Sequence, residues 1–556
     1  MKPKTWKIKK TDPQIRELAG RHSLDPIVVQ LLINRGLSEG DFDYFLRSSR
    51  LDFHDASLLP DIEKAKQRVK KAVSGREKVL VFGDYDVDGI TSLAIFYEYA
   101  KNFSEIFSFY IPHRVKEGYG LNKEAVLKAK EDGVSLIIAF DCGTNSYQEI
   151  GLARSLGIET IVIDHHYLKD DRVFDFVLVN PKRKDSSYPF ADLSAAALAF
   201  KFLQVLTGDP SYQVLDLVAL SLICDVVPLS GENRVLLKEG LLALKSTKRV
   251  AIKALCKVSG IRQENIDIFH VGYILGPRIN ASGRVAHAQE SFDLFLTEDQ
   301  SRADKLAKQL SEYNQLRKNI EVQILKEAEQ RIQKNFDQPA AIVVSGENWH
   351  PGVLGIVASR LADKYSRPSF VISFDHDIGK GSARSIQSVH ILEMLDKCAD
   401  SLIEYGGHRK AAGVQIDKGE LENFKEKINL LIEESLGPEE FIPVLDIDSW
   451  LSFEDIDIGL VEAVEELKPY GEGNPLPFFA AKGIFKKSSP KKINSWFSIW
   501  LSDGKRTLEG MVYDKEILEV INCADNFDIA FSLKLDNYHN MPRLVIRDCR
   551  LSRGEG

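Results

Sequence analysis

The run Ile161-Val162-Ile163-Asp164-His165-His166 decides how this chain is read, because an apolar stretch ends abruptly in a carboxylate and two imidazoles. The pattern recurs upstream. Residues 79–82 lead into Gly83-Asp84-Tyr85-Asp86-Val87-Asp88-Gly89, and residues 136–140 lead into Asp141. Runs rich in Val and Ile, separated by helical patterns, read as buried parallel strands. In such sheets ligands sit beyond the carboxyl ends of the strands. Three strands would therefore deliver Asp84, Asp86, Asp88, Asp141, Asp164, His165 and His166 to one edge. That pattern predicts a metal site, and with it an enzyme. Asp225, downstream after the apolar run 220–223, would by itself pass as an ordinary helix-end acid.

At 556 residues the chain is too long for one core, and its length suggests three or four domains. A hydrophobic share of 44% with 28% charged residues is ordinary for a soluble globular protein. No run of about 18 apolar residues is present, so no membrane span is expected. The start, Met1-Lys2-Pro3-Lys4-Thr5-Trp6, has no apolar stretch behind its charges and does not read as a secretion signal. Six cysteines (Cys142, Cys224, Cys256, Cys398, Cys523 and Cys549) are scattered without zinc-ligand spacing, which fits a reducing, cytoplasmic setting. A net charge of −8 argues against a generic nucleic-acid coat, but leaves room for a nuclease with positive charge gathered in one groove.

Along the chain, residues 1–60 read as an N-terminal helical segment. Residues 61–296 alternate strand and helix, then become mainly helical from Ala195, as expected of a parallel-sheet catalytic domain. Residues 297–336 contain no Pro or Gly, and Ala303, Leu306, Leu310, Tyr313, Leu316, Ile320 and Ile324 recur at helical spacing. They read as one long connecting helix, with two kinked helices as the alternative. A second, smaller α/β unit follows over 337–440. The last segment, 441–556, carries short β patterns and turns that suggest a small barrel.

The acidic cluster begins like a calcium loop, but that loop needs a Glu at its twelfth position and flanking helices. Here Ile95 stands at that position, and a strand comes first. Carboxylates at a strand end beside a helix N-terminus suit a divalent ion bridging to phosphate. A lone His at a strand end would pass as an ordinary polar residue; a pair directly after Asp164 points to ligation or catalysis. Mixed carboxylate and imidazole donors favour Mn2+ over Mg2+. Two such ions about 3.5–4 Å apart activate a water and stabilise a leaving oxygen. Three glycine-rich stretches, 276–284, 379–385 and 406–413, interleave glycines with Arg278, Arg284, Arg384, His408 and other cations. Each alone reads equally well as a turn; together they point to an anionic polymer or nucleotide. Lys486, Lys487, Lys491 and Lys492 precede Trp496, Phe497 and Trp500, which are the ingredients of single-strand binding or, alternatively, a barrel core with a solvated turn.

At these residues the chain resembles the DHH phosphoesterase superfamily, and within it the long bacterial single-strand-specific exonucleases, over nearly its whole length. Residues 83–89 are similar to the family's first motif, 141–143 to the second, Asp164-His165-His166 to the third, and the stretch ending at Asp225 to the fourth. Residues 406–413 resemble the GGHxxAAG signature of the DHHA1 domain. Leu58-Leu59-Pro60-Asp61, residues 276–284 and Pro469-Tyr470-Gly471-Glu472-Gly473-Asn474-Pro475 point to the exonucleases rather than their small relatives.

The resemblance implies a DHH and a DHHA1 domain facing each other across a cleft, joined by a long helix, plus an OB-fold. It implies stepwise hydrolysis of single-stranded DNA from the 5′ end to nucleoside 5′-monophosphates, in recombination and repair, by a monomer working with a helicase and a single-strand-binding protein. By motif position it implies Asp86, Asp88, Asp141, His165 and Asp225 as ligands of two ions, with Asp141 as the bridge. Asp84 is a ligand or an orienter, Asp164 orients the histidines, and His166 contacts the scissile phosphate. Arg114, Arg278, Asn280, Arg284, Ser382, Arg384, Gly407 and His408 become candidates for substrate binding. The rivals are a DHH phosphodiesterase of short oligonucleotides or cyclic dinucleotides, and a non-catalytic DNA-binding subunit. The long terminal segments argue against the first, and the intact acidic set against the second.

Overall fold

The computed structural model describes residues 4–169, 174–334, 339–536 and 538–552. The chain divides into two compact units, one of residues 1–48, 228–230 and 442–556, the other of 49–227 and 231–441. Strand β1 (Thr5–Ile8) opens the chain within the first unit.

The larger unit contains the predicted parallel sheet. Its strands are β2 (Val79–Gly83), β3 (Phe107–Tyr110), β4 (Leu136–Phe140), β5 (Glu159–Ile163) and β6 (Val177–Val179), in the order β3-β2-β4-β5-β6. All four pairings are parallel. Every residue of β2 and β4 is buried, as continuous apolar runs covered on both faces must be. The helices Val87–Ala100, Lys123–Glu131 and Tyr147–Ser155 make the crossovers, and the helices Ala195–Thr207 and Leu215–Cys224 continue the unit.

The long helix is unbroken over 35 residues, Gln300–Lys334, a length of about 52 Å at 1.5 Å per residue. Its early residues Ala303, Ala307 and Leu310 are buried, and Ile324, Ala328 and Ile332 pack into the core of a second sheet. That sheet holds β7 (Ile342–Glu347), β8 (Ser369–Asp375), β9 (Ile378–Arg384), β10 (Glu404–Gly407) and β11 (Ala411–Asp417), in the order β10-β11-β9-β8-β7. The helix Leu421–Ser435 covers its other face through Phe424, Ile428 and Ile432.

In the smaller unit, β12 (Val444–Ile447) pairs with β1 in parallel. The strands β13 (Ser449–Trp450), β14 (Phe479–Lys486), β15 (Lys491–Ile493), β16 (Trp496–Ser502), β17 (Thr507–Val512), β18 (Phe527–Asp536) and β19 (Met541–Leu551) form one sheet. It closes on itself where Phe485 and Lys486 of β14 pair with Ser502 and Leu501 of β16. The barrel core of Phe453, Phe479, Phe527 and Phe531 is shared with Val28, Val29, Leu31 and Leu32 of the N-terminal helices. The fold class is the one the sequence predicts: a parallel-sheet domain, a smaller α/β domain, a long helix and a barrel. Among the described residues no helix is long and apolar enough to cross a membrane.

The glycine-rich stretches differ from loops. Residues 276–284 lie in the helix Gly276–Val285, after a π-helical turn at Val271–Leu275. Proline is tolerated at the start of a helix, and burial of Ile279, Ala281 and Ser282 outweighs the weak helix propensity of glycine. Residues 379–384 lie within β9, and 406–413 form the β10–β11 hairpin.

Candidate metal centre

Strands β2, β4 and β5 lie side by side and point the same way, so Asp84, Asp141 and Asp164 emerge together at one edge. The Asp141 amide still donates to Ile163 O at 3.1 Å, while its own φ is 61°. Left-handed backbone is costly for a side-chain-bearing residue, though Asp bears it better than most, and it is kept chiefly where function demands it.

The acidic loop is held by its own amides. Asp86 caps the helix Val87–Ala100, accepting from the amides of Asp88 at 2.9 Å and Gly89 at 3.3 Å. Gly89 is required by close approach: a Cβ there would sit 2.4 Å from the Asp84 carbonyl oxygen. Asp88 accepts from the amides of Ala195 and Ala196, both at 2.8 Å, and from Ser221 Oγ at 2.7 Å. Asp164 accepts from the amides of Thr144 at 3.0 Å and His165 at 2.8 Å, and binds His166 Nδ1 at 2.7 Å. Its oxygens are thus occupied in orienting the histidine pair.

The remaining acids converge. One donor atom each from Asp84, Asp86 and Asp141 lie within 4.8 Å of one another, and so do those of Asp88, His165 and Asp225; a further group of Asp141, Asp164, His165 and His166 overlaps both. His165 Nε2 is 3.3 Å from Asp141 Oδ1, 3.6 Å from Asp88 Oδ2 and 3.7 Å from Asp225 Oδ2. Asp141 therefore touches both sets. His165 Nε2 and Asp84 Oδ1 are buried without hydrogen-bond partners among the described residues. Buried polar atoms are nearly always paired, so these point to a group that completes them.

Burial, followed by the neighbouring carboxylates, pushes Asp84 and Asp141 well above the usual carboxylate range, and burial with Asp88 and Asp86 does the same to Asp225. Burial raises Asp88 to about 6 against its hydrogen bond from Ser221. Burial, then the His166 charge, lowers His165 to about 3, leaving a neutral imidazole. For His166, burial is outweighed by Asp164, which raises it to about 9. Crowded carboxylates that resist ionisation, beside a neutral imidazole with a free lone pair, are a donor set that divalent cations relieve. The residues form a divalent metal site.

A cationic wall adjoins it. The buried Arg284 is lowered to about 9 by burial and then by the charges of Arg114, Arg317 and Arg384, against the opposing pull of Asp86. Burial and then Arg114 lower Arg384. No ion pair of Arg114, Arg284 or Arg384 is found among the described residues. Arg114 lies 4.6 Å over the Tyr85 ring. His408, on the hairpin, is lowered by burial and then by the charges of His166, Lys169 and Lys182. Gly407, at φ 154°, makes this hairpin possible, since a Cβ would meet Ala411 O at 2.3 Å. Ser382 pairs with Gly413 in the same sheet.

Two candidates sit differently. Arg278 Nη1 donates to Ile274 O in the preceding π-helical turn at 2.7 Å, and Asn280 Oδ1 accepts from the Val87 amide at 3.1 Å. Sequence reasoning missed Tyr119, whose hydroxyl donates to Asp141 O at 3.0 Å and lies 3.1 Å from His166 Nε2. Its position between Gly118 and Gly120 was the available signal. Ser221 and the Ala195 and Ala196 amides carried none.

The chain matches the model of the DHH family N-terminal domain over 78–222, of the DHHA1 domain over 313–434 and of the RecJ OB domain over 447–548. It is 33% identical over 558 residues to the single-stranded-DNA-specific exonuclease RecJ of Bacillus subtilis, covering 98% of this chain and 71% of that protein. The Escherichia coli exonuclease of that name is 31% identical, over 82% of this chain and 83% of its own length. The crystal structure of RecJ from Thermus thermophilus in complex with Mn2+ superposes with a TM-score of 0.82 at 27% identity, covering 99% of this chain and 81% of that one. The same protein in complex with Mg2+ gives 0.78 at 25% identity, covering 99% and 79%. With its metal site at the strand ends and all three domain models matched in order, this chain belongs to the RecJ family of single-stranded-DNA-specific exonucleases.

Proposed function

We propose that this chain removes nucleotides one at a time from the 5′ end of single-stranded DNA, as nucleoside 5′-monophosphates, using two divalent ions. The observation that carries this reading is the pair of donor sets, Asp84/Asp86/Asp141 and Asp88/His165/Asp225, with Asp141 in contact with both. When bound, the ions supply Lewis acidity and a water of lowered pKa. The protein's part is placement. Asp164 holds the His165 backbone amide and the His166 ring, and His166, turned to Asp164 through Nδ1, offers a positive charge to the scissile phosphate. The imidazole among the donors favours Mn2+ over Mg2+.

Arg384, Arg114 and Arg284, with His408, Ser382 and Gly407, are assigned to the terminal 5′-phosphate, because the three arginines have no ion pair among the described residues and adjoin the acidic edge. Arg278 is assigned to the strand's backbone. Lys486, Lys487, Lys491 and Lys492 with Trp496 and Trp500 are assigned to the strand further along. The working form is a monomer inside the cell, cooperating with a helicase and a single-strand-binding protein in recombination and repair.

The test uses a single strand of about thirty nucleotides labelled at either end, with Mn2+ or with EDTA. A 5′ label should be released first as a mononucleotide, and only with metal. Release of the 3′ label first, or hydrolysis restricted to dinucleotides, would contradict the reading.

A further inference from the structure

The first amides of a helix have no partner within it, and in Val87–Ala100 they are shared between two side chains. Asp86 Oδ1 takes the amides of Asp88 and Gly89. Asn280 Oδ1 takes the one before them, Val87 N, at 3.1 Å. The carboxamide is thus spent on the backbone between Asp86 and Asp88, two of the residues assigned to the ions.

The helix that carries Asn280, Gly276–Val285, is seated closely on both ligand-bearing segments. One turn before Asn280, a Cβ on Gly276 would meet Cys224 Sγ at 2.4 Å, next to Asp225. One turn after it, a Cβ on Gly283 would meet the Tyr85 carbonyl oxygen at 2.7 Å. Gly276, Asn280 and Gly283 share one helix face, at spacings of four and three. The next residue, Arg284, donates to Gly352 O at 3.1 Å in the helix Pro351–Tyr365.

We propose that Asn280 is a positioning residue for the metal centre rather than a contact to DNA: by holding the Val87 amide it sets the separation of the Asp86 and Asp88 carboxylates. Loss of the acceptor leaves a helix-start amide unpaired in a buried setting, and the Asp86 carboxylate becomes its nearest alternative. An Asp86 drawn back to its own helix serves an ion less well. The inference rests on the metal-centre reading above.

The test measures Mn2+ binding without DNA, by calorimetry or by the free-ion EPR signal, alongside binding of a 5′-phosphorylated single strand in EDTA. Asn280→Ala should bind Mn2+ at least tenfold more weakly, with strand affinity within about twofold of the parent. Asn280→Asp keeps the acceptor oxygen and should bind Mn2+ no more than about threefold more weakly. Unchanged Mn2+ affinity in Asn280→Ala, with or without weaker strand binding, overturns the inference. Where Asn280→Ala does not fold, Asn280→Asp decides alone, and a tenfold loss of Mn2+ affinity there overturns it. A parent protein that binds no Mn2+ would instead overturn the metal-centre reading.

Discussion

The acidic edge of the parallel sheet and the exposed face of the barrel are built on opposite principles. At the ends of β2, β4 and β5 every strand points the same way, so each contributes its next residue to one spot, and Asp84, Asp141 and Asp164 meet there. Around the barrel most neighbouring strands run antiparallel, and their polar residues spread along a face. On β16, Phe497, Ile499 and Leu501 pack inward while Trp500 is exposed, by the period-two alternation of a strand. Convergence makes a centre in which one residue decides everything. Dispersion makes a surface in which each residue adds a little.

The sharpest way to break this contrast is Asp141→Ala. It removes the carboxylate of the first donor set that also contacts His165 of the second, and should lower kcat by about a thousandfold or more, since the link between the two sets would be lost. In EDTA the variant should melt at the parent temperature or above, because one buried, crowded carboxylate is gone. Saturating Mn2+ should then raise the melting temperature of the parent and much less that of the variant; ligand at a hundredfold over Kd adds about 2.7 kcal/mol. Activity above a tenth of the parent would undo the account of the centre.

Arg384→Ala comes next. It should weaken binding of a 5′-phosphorylated strand by about tenfold or more and leave an unphosphorylated strand within about twofold, since a charge-assisted bond to one group is lost. Competition binding with the two strands measures the difference. Equal losses would mean that Arg384 does not read the terminal phosphate.

The barrel face should yield the smallest effects. Trp500→Ala should cost long single strands about 1–3 kcal/mol of affinity while hydrolysis of a dinucleotide stays unchanged. Replacing Lys491 and Lys492 together by Ala should lower the salt slope of binding by about 1.4, at roughly 0.7 per charge for single strands. Equal slopes for parent and variant would remove the barrel from the DNA-binding surface. Point variants are preferable to deleting the barrel, because Val28, Val29, Leu31 and Leu32 would lose the core they share with it.

Most of the first region was legible in the sequence, because its signals are local. An apolar run followed at once by an acid marks a strand end, as at Asp141 and Asp164, and burial on both faces keeps the run free of polar interruptions. Partners reached through tertiary packing left no such trace. Ser221 and the Ala195 and Ala196 amides hold Asp88 from two other helices, and none belongs to a pattern of its own. The hydrogen bond from the Val87 amide to Asn280 Oδ1 is likewise made by helix packing and left no sign in the sequence. In the barrel unit some strands were legible, but β1 falls in a segment that reads as helical, β14 carried no clear signal, and the pairing was not legible. Nothing in Thr5–Ile8 announces β12 as its neighbour, since register between distant strands is set by the shared core.

The measurement that bears most directly on the central claim is the number of Mn2+ ions bound per chain at saturation, in the parent protein and in Asp141→Ala, by calorimetry or EPR. The two donor sets joined through Asp141 predict two ions in the parent, and in the variant fewer ions or at least a tenfold weaker affinity for both. A single ion in the parent, or two ions held with unchanged affinity by Asp141→Ala, would contradict it.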